Sequence, residues 1–127
     1  MPQTQTQQPR PQTCKGSCHC GAVRYEVSGA LKTPVLSCNC SICRRKGTLF
    51  SFVPADAFRL LAGKDAVTDY QFNTKNIHHL FCRTCGVTSF ATGTAPNGAR
   101  MVAVNVRCLE DVDLDALTIT RYDGKSA

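Results

Sequence analysis

Three groups of cysteines could carry chemistry: Cys18-His19-Cys20-Gly21, Cys38-Asn39-Cys40-Ser41-Ile42-Cys43 and Cys82-Arg83-Thr84-Cys85-Gly86. Thiolate is a preferred ligand of tetrahedral structural zinc, and a C-x-x-C turn aims two sulfurs at one point. A glycine directly after the second cysteine suits such a turn, whose backbone requires φ > 0. Gly21 and Gly86 fit that role. Cys18, Cys20, Cys82 and Cys85 therefore read as one closed four-sulfur zinc site, pinning the start of the domain to its middle. A redox dithiol at Cys82 and Cys85 is disfavoured. That motif sits between a parallel strand and a helix, whereas strands are expected here on both sides.

The middle group is different. Cys38, Cys40 and Cys43 supply three thiolates, and three protein ligands with an open position are the pattern of a catalytic zinc. Such an ion can polarise an aldehyde oxygen, or hold an incoming thiol as its thiolate at neutral pH. The opposing reading closes the site with a fourth ligand: Cys14, Cys108, His19, His78 or His79. Arg44, Arg45 and Lys46 follow at once. They read as a clamp for substrate carboxylates or phosphate, against the plainer reading of a solvated turn. His78 and His79 are neighbours in an expected strand, so they face opposite sides and at most one can point at a given site. Either could move protons there. His19 lies between two ligands and should point outward. Cys14 and Cys108 are spare by count.

The elements that must position these groups are mostly strands. Val23, Tyr25 and Val27 alternate with polar residues, the mark of a half-buried strand. Further short strands are predicted over 48–53, 58–61, 69–73, 77–81, 87–91, 100–106 and 117–122, separated by Gly and Pro. Helix is minor: a turn over 41–45 and another near 113–117. The fold class is thus all-β, an array of small antiparallel sheets with many edges and little core, for which cross-linking by metal would matter. Residues 1–13 (MPQTQTQQPRPQT) offer nothing to bury and read as a disordered N-terminal tail; residues 14–127 form the one domain.

The bulk numbers agree. The chain has 127 residues, nine of them cysteine, no tryptophan, and a formal charge of +6. An odd cysteine count disfavours a complete disulfide framework. The basicity invites a nucleic-acid reading, but seven ligand thiolates and two Zn²⁺ would bring the charge down to about +3. No apolar stretch approaches bilayer-spanning length, and the N-terminus has no apolar core of a signal peptide. The cysteines are therefore expected in a reducing cytoplasm, where clustered cysteines bind metal or do chemistry.

The strings GSCHCGAVRYEV (16–27), SCNCSICRRKG (37–47), FCRTCGVTSF (81–90) and NVRCLED (105–111) resemble the glutathione-dependent formaldehyde-activating enzyme family, with a closer likeness to its centromere protein V-like branch. The resemblance covers roughly residues 14–124. It implies a β-tent fold, a structural zinc on Cys18, Cys20, Cys82 and Cys85, and a second, catalytic-type zinc on Cys38, Cys40 and Cys43. It also implies a carbon–sulfur lyase joining glutathione and formaldehyde into S-(hydroxymethyl)glutathione. The expected partner is a small thiol or aldehyde, with Arg44, Arg45 and Lys46 as substrate-binding residues. The chain lacks the long basic arm of the centromere protein, and no basic stripe interleaves with aromatics, so nucleic acid is disfavoured. The alternative is a zinc-stabilised binding module for nucleic acid or protein, without catalysis. A third reading, protein binding of the exchange-factor kind, rests on fold analogy alone.

Overall fold

The computed structural model describes residues 13–29, 34–71, 76–110 and 112–123. The sequence alternation sets most of its strands. In β2 (Arg24–Ser28), Tyr25 and Val27 are buried while Arg24 and Ser28 are exposed. The chain then forms β3 (Val35–Cys38), a short helix α1 (Ser41–Lys46), β4 (Phe50–Pro54), β5 (Phe58–Ala62), β6 (Val67–Tyr70) and β7 (His78–Cys82). It closes with β8 (Phe90–Thr94), β9 (Arg100–Asn105) and β10 (Ile119–Tyr122). The fold is mainly β, as expected.

Two strands were not predicted: β1 (Thr13–Ser17) and β3. Neither has an alternating apolar face long enough to announce itself. Both exist through their partners, β1 against β2 and β3 between β4 and β10. Thr13, assigned to the tail by sequence, already pairs with Ser28; the rest of that tail, 1–12, lies outside the described residues. The strand expected over 69–73 ends at Tyr70, and its residues 72 and 73 also lie outside the described set. The strand expected over 87–91 starts only at Phe90: the Val87 carbonyl accepts from Cys82 N–H within the turn that follows β7, and the Ser89 carbonyl accepts from Asn105 N–H at the end of β9.

The strands form two sheets, β1-β2-β5 and β10-β3-β4-β9-β8-β7-β6. All pairs are antiparallel except β10 with β3. That parallel pair is permitted because the chain makes a long excursion through β4 to β9 before returning.

Parity along the central strands separates the two faces of the large sheet. Val53, Phe90, Val102 and Val104 face an inner core shared with Tyr25 and Val27 of the small sheet. Phe50, Ala91 and Ala103 face outward, where Cys38, Cys40, Ile42 and Cys43 cover them. Tyr25 is fully buried at the seam between sheets. Its ring packs 5.2 Å from that of Phe58 and 5.9 Å from that of Phe90, and its hydroxyl donates to the Ser89 carbonyl at 3.3 Å. Gly16 lies opposite it, and any side chain there would overlap the hydroxyl end of the ring.

Candidate metal centres and the adjoining cavity

The four cysteines of the first group come from two turns. In one, Cys18 N–H donates to the Val23 carbonyl at 3.0 Å and Val23 N–H donates to Cys18 Sγ at 3.3 Å. In the other, Gly86 N–H donates to the Cys82 carbonyl at 2.8 Å, and Thr84 and Cys85 N–H groups point at Cys82 Sγ at 3.4 and 3.5 Å. The glycines that close these turns, Gly21 and Gly86, have φ of 85° and 81°, the left-handed backbone expected of them. The sulfurs of Cys18, Cys20, Cys82 and Cys85 all lie within 4.8 Å of one another. Four sulfurs about 2.3 Å from a central ion stand about 3.8 Å apart in a regular tetrahedron. Cys18 to Cys20 and Cys20 to Cys82 are each 3.7 Å. The set can hold a metal ion.

The protonation pattern agrees. Four thiolates this close cannot all ionise without a cation between them. The N–H groups of Val87 and Cys20 hold Cys85 down to about 6. At Cys20 the N–H of Ala22 favours the thiolate, but burial and the sulfurs of Cys82, Cys18 and Cys85 outweigh it and raise it to about 11.

The second group is built differently. Cys38 ends β3, Cys40 caps α1 and Cys43 lies in its first turn. Cys40 N–H donates to Cys38 Sγ at 3.4 Å, and Cys43 N–H donates to Cys40 Sγ at 3.5 Å. The three sulfurs lie within 4.8 Å of one another, and among the described residues no His, Cys, Asp or Glu joins them. Burial pushes the Cys43 thiol up to about 12, with the Cys40 sulfur adding to it. Burial also opposes ionisation of Cys40, but the N–H of Cys43 wins and Cys40 falls below its ordinary value.

The sequence candidates for a fourth ligand lie elsewhere. Cys108 donates its thiol to the Thr88 carbonyl at 3.7 Å; burial raises its pKa, and the charges of Cys18 and Cys85 of the first group add to the rise. Cys14 sits in β1 against the inner core. His19 is exposed, as expected. His78 Nδ1 lies 2.7 Å from Asp69 Oδ2. His79 is buried opposite Ala91, so it shares the outer face with the second group while His78 does not. None of the nine cysteines is in a disulfide.

A cavity of about 450 Å³ opens beside the second group, and Cys38, Cys43, Arg44, Arg107, Arg121 and Tyr122 are on its wall. Of the predicted basic clamp only Arg44 reaches it. Arg45 and Lys46 line a separate hollow with Ser41, Ile42 and Tyr70. At 3.6 residues per turn, three consecutive helical residues fan over about 200° and cannot share one wall. Arg45 donates to the Ser41 carbonyl at 2.9 Å. Lys46 donates to Thr88 Oγ1 at 2.7 Å and sits 4.8 Å from the centre of the Phe81 ring. Sequence reasoning missed Arg107 and Arg121. They are far from the cysteines along the chain, and only the pairing of β10 with β3 and the turn after β9 bring them in.

Comparison with known proteins agrees with this architecture. Residues 13–120 match the glutathione-dependent formaldehyde-activating enzyme family. A curated protein of Halomonas elongata, provisionally named as such an enzyme, is 55% identical over 31 residues, 24% of this chain. That match spans only 20% of the relative's length. A Rhodobacter sphaeroides protein solved by crystallography is 35% identical with a TM-score of 0.70, covering 84% of this chain and 99% of its own. With cysteine spacing, sheet architecture and family match in agreement, the chain belongs to the glutathione-dependent formaldehyde-activating enzyme family.

Proposed function

We propose that the protein is a zinc-dependent carbon–sulfur lyase acting on thiol–aldehyde adducts such as S-(hydroxymethyl)glutathione, with two zinc ions per chain. The observation that carries this reading is the three-sulfur group, which puts Cys38 and Cys43 on the wall of a small-molecule-sized cavity and has no fourth His, Cys, Asp or Glu among the described residues. Sulfur-rich donors suit zinc. Cys18, Cys20, Cys82 and Cys85 would hold the structural ion, and Cys38, Cys40 and Cys43 the second. A zinc ion at the second site would supply Lewis acidity and favour the thiolate form of a bound thiol.

In the synthetic direction the thiol loses its S–H proton, its sulfur forms a C–S bond to the carbonyl carbon, and the carbonyl oxygen takes up a proton. The lyase direction breaks the same C–S bond and returns thiol and aldehyde. The residues of this chain contribute by placement. Cys38 and Cys43 set one end of the cavity, and Arg44 binds an anionic part of the substrate beside them. Neither His78 nor His79 lines the cavity. The test is adduct formation from glutathione and formaldehyde, followed against the spontaneous rate with zinc-loaded protein. Acceleration that is lost in Cys40→Ser supports the reading. No acceleration over the uncatalysed rate, with formaldehyde and several thiols, refutes it for those substrates.

A further inference from the structure

The cavity beside the second cysteine group is lined by three arginines from three separate parts of the chain. Arg44 belongs to α1, directly after Cys43. Arg121 belongs to β10, where it pairs with Ser37 while the next residue, Tyr122, pairs with Cys38. Arg107 lies in the turn after β9, and its Nε donates to the Gly47 carbonyl at 3.0 Å. Arg44 is thus on the helix that carries Cys43, Arg121 is on the strand paired with the one that ends in Cys38, and Arg107 is fixed to the end of α1. The described ion pairs are Arg59 with Glu26 and His78 with Asp69, so none of the three cavity arginines is in one among the described residues. Among the described residues the wall carries one carboxylate, Asp123, which accepts from Asn39 Nδ2 at 2.9 Å. Anchoring Arg107 through Nε holds the rest of its guanidinium in a fixed orientation, the geometry that favours bidentate binding of a carboxylate.

We infer that Arg44, Arg107 and Arg121 form a carboxylate-binding wall that selects substrates carrying carboxylates close to the reacting sulfur or carbonyl. This rests on the cavity being the substrate site proposed above. Arg107 and Arg121 are its specificity-determining residues. The carboxylate belongs either to the thiol, as in a peptide or mercapto-acid, or to the aldehyde, as in an oxo-acid. The chemistry recognised is the same.

Calorimetric titration of the zinc-loaded protein tests this without relying on turnover. The probes are glutathione, its dimethyl ester, and glyoxylate. A charge-assisted hydrogen bond is worth roughly 1.5–3 kcal/mol, which is about tenfold or more in affinity. Glutathione should therefore bind at least about tenfold more tightly than its ester if the thiol carries the carboxylate. Glyoxylate binding instead, with glutathione and ester equal, assigns the carboxylate to the aldehyde. In either case Arg121→Gln and Arg107→Gln should each lower the preferred probe's affinity about tenfold, while Arg45→Gln leaves it unchanged. Arg107 also bonds Gly47, so Arg121→Gln, on an exposed strand, is the variant that decides if Arg107→Gln melts early. Equal affinities of all probes for wild type and variants overturn the inference. The expected pattern without any rate acceleration upholds carboxylate recognition and refutes the lyase reading. Acceleration that is indifferent to Arg107 and Arg121 does the reverse.

Discussion

Chelating the metal should destabilise this protein mainly through the four-sulfur site, and the size of the effect follows from topology. Cys20 and Cys82 are 62 positions apart yet their sulfurs stand 3.7 Å from each other. A cross-link there ties the turn between β1 and β2 to the end of β7. In the chain-entropy treatment, closing a loop of that length removes about 4 kcal/mol of unfolded-state freedom, and closing the five-position span from Cys38 to Cys43 removes about 2 kcal/mol. Domains of this size are stable by only about 5–15 kcal/mol. A loss of about 4 kcal/mol corresponds to a fall in Tm on the order of 15 °C. The assay is the difference in Tm between zinc-loaded and chelated protein, measured in three chains. Wild type should show the full difference. The Cys38→Ser, Cys40→Ser, Cys43→Ser variant should retain about two thirds of it, and Cys82→Ser, Cys85→Ser about one third. Using the loaded-minus-chelated difference cancels the direct cost of burying serine hydroxyls. The reasoning fails if chelation leaves Tm of the wild type unchanged, or if the order of the two variants is reversed.

Other outcomes follow from the same contacts. Tyr25→Ala empties the seam between the sheets and should cost about 3–5 kcal/mol by urea unfolding, whereas Tyr25→Phe loses only the bond to Ser89 and should cost about 1 kcal/mol. Burial lowers the His79 pKa below its ordinary value, with the charge of Lys46 adding to it. The unfolded chain therefore binds more protons there. Stability from this residue is full above the unfolded pKa, near 6.5, and is lost as pH falls through the lower folded value. The chelated His79→Asn protein should show a flatter stability profile below about pH 6.5 than the chelated wild type. Lys46→Met removes the bond to Thr88 and the contact with Phe81. It should cost about 1–2 kcal/mol in stability and leave the KM for a carboxylate-bearing thiol unchanged; Arg44→Gln should raise that KM with little change in Tm.

Much of this could be read from the sequence because the informative signals are local. A C-x-x-C-Gly turn is specified by its own few residues: the sulfurs accept from the next N–H groups, and Gly86 takes the left-handed backbone that a side chain would resist. The alternation in β2 reports a half-buried surface residue by residue, whereas β9 is buried on both faces from Val102 to Asn105. The division of seven cysteines into a set of four and a set of three also followed from motif spacing, and the sulfur positions agree with it. By contrast, β1 and β3 owe their pairing to strands elsewhere in the chain, and neither has a face that marks it as a strand alone.

The chain's own residue pattern determined which cysteines cluster, that the fold is mainly β, and that α1 would begin at the second group. Tertiary structure decided what surrounds that group. It turned Lys46 to Thr88 and Arg45 back onto its own helix, because consecutive helical residues diverge. It left Cys108 on the side of the first site. It brought Arg121 to the cavity through the parallel pairing of β10 with β3, and Arg107 through the turn after β9. Adjacency in sequence fixes the direction of a side chain only through the local element. Convergence of distant residues on one cavity depends on sheet order, which no short motif encodes.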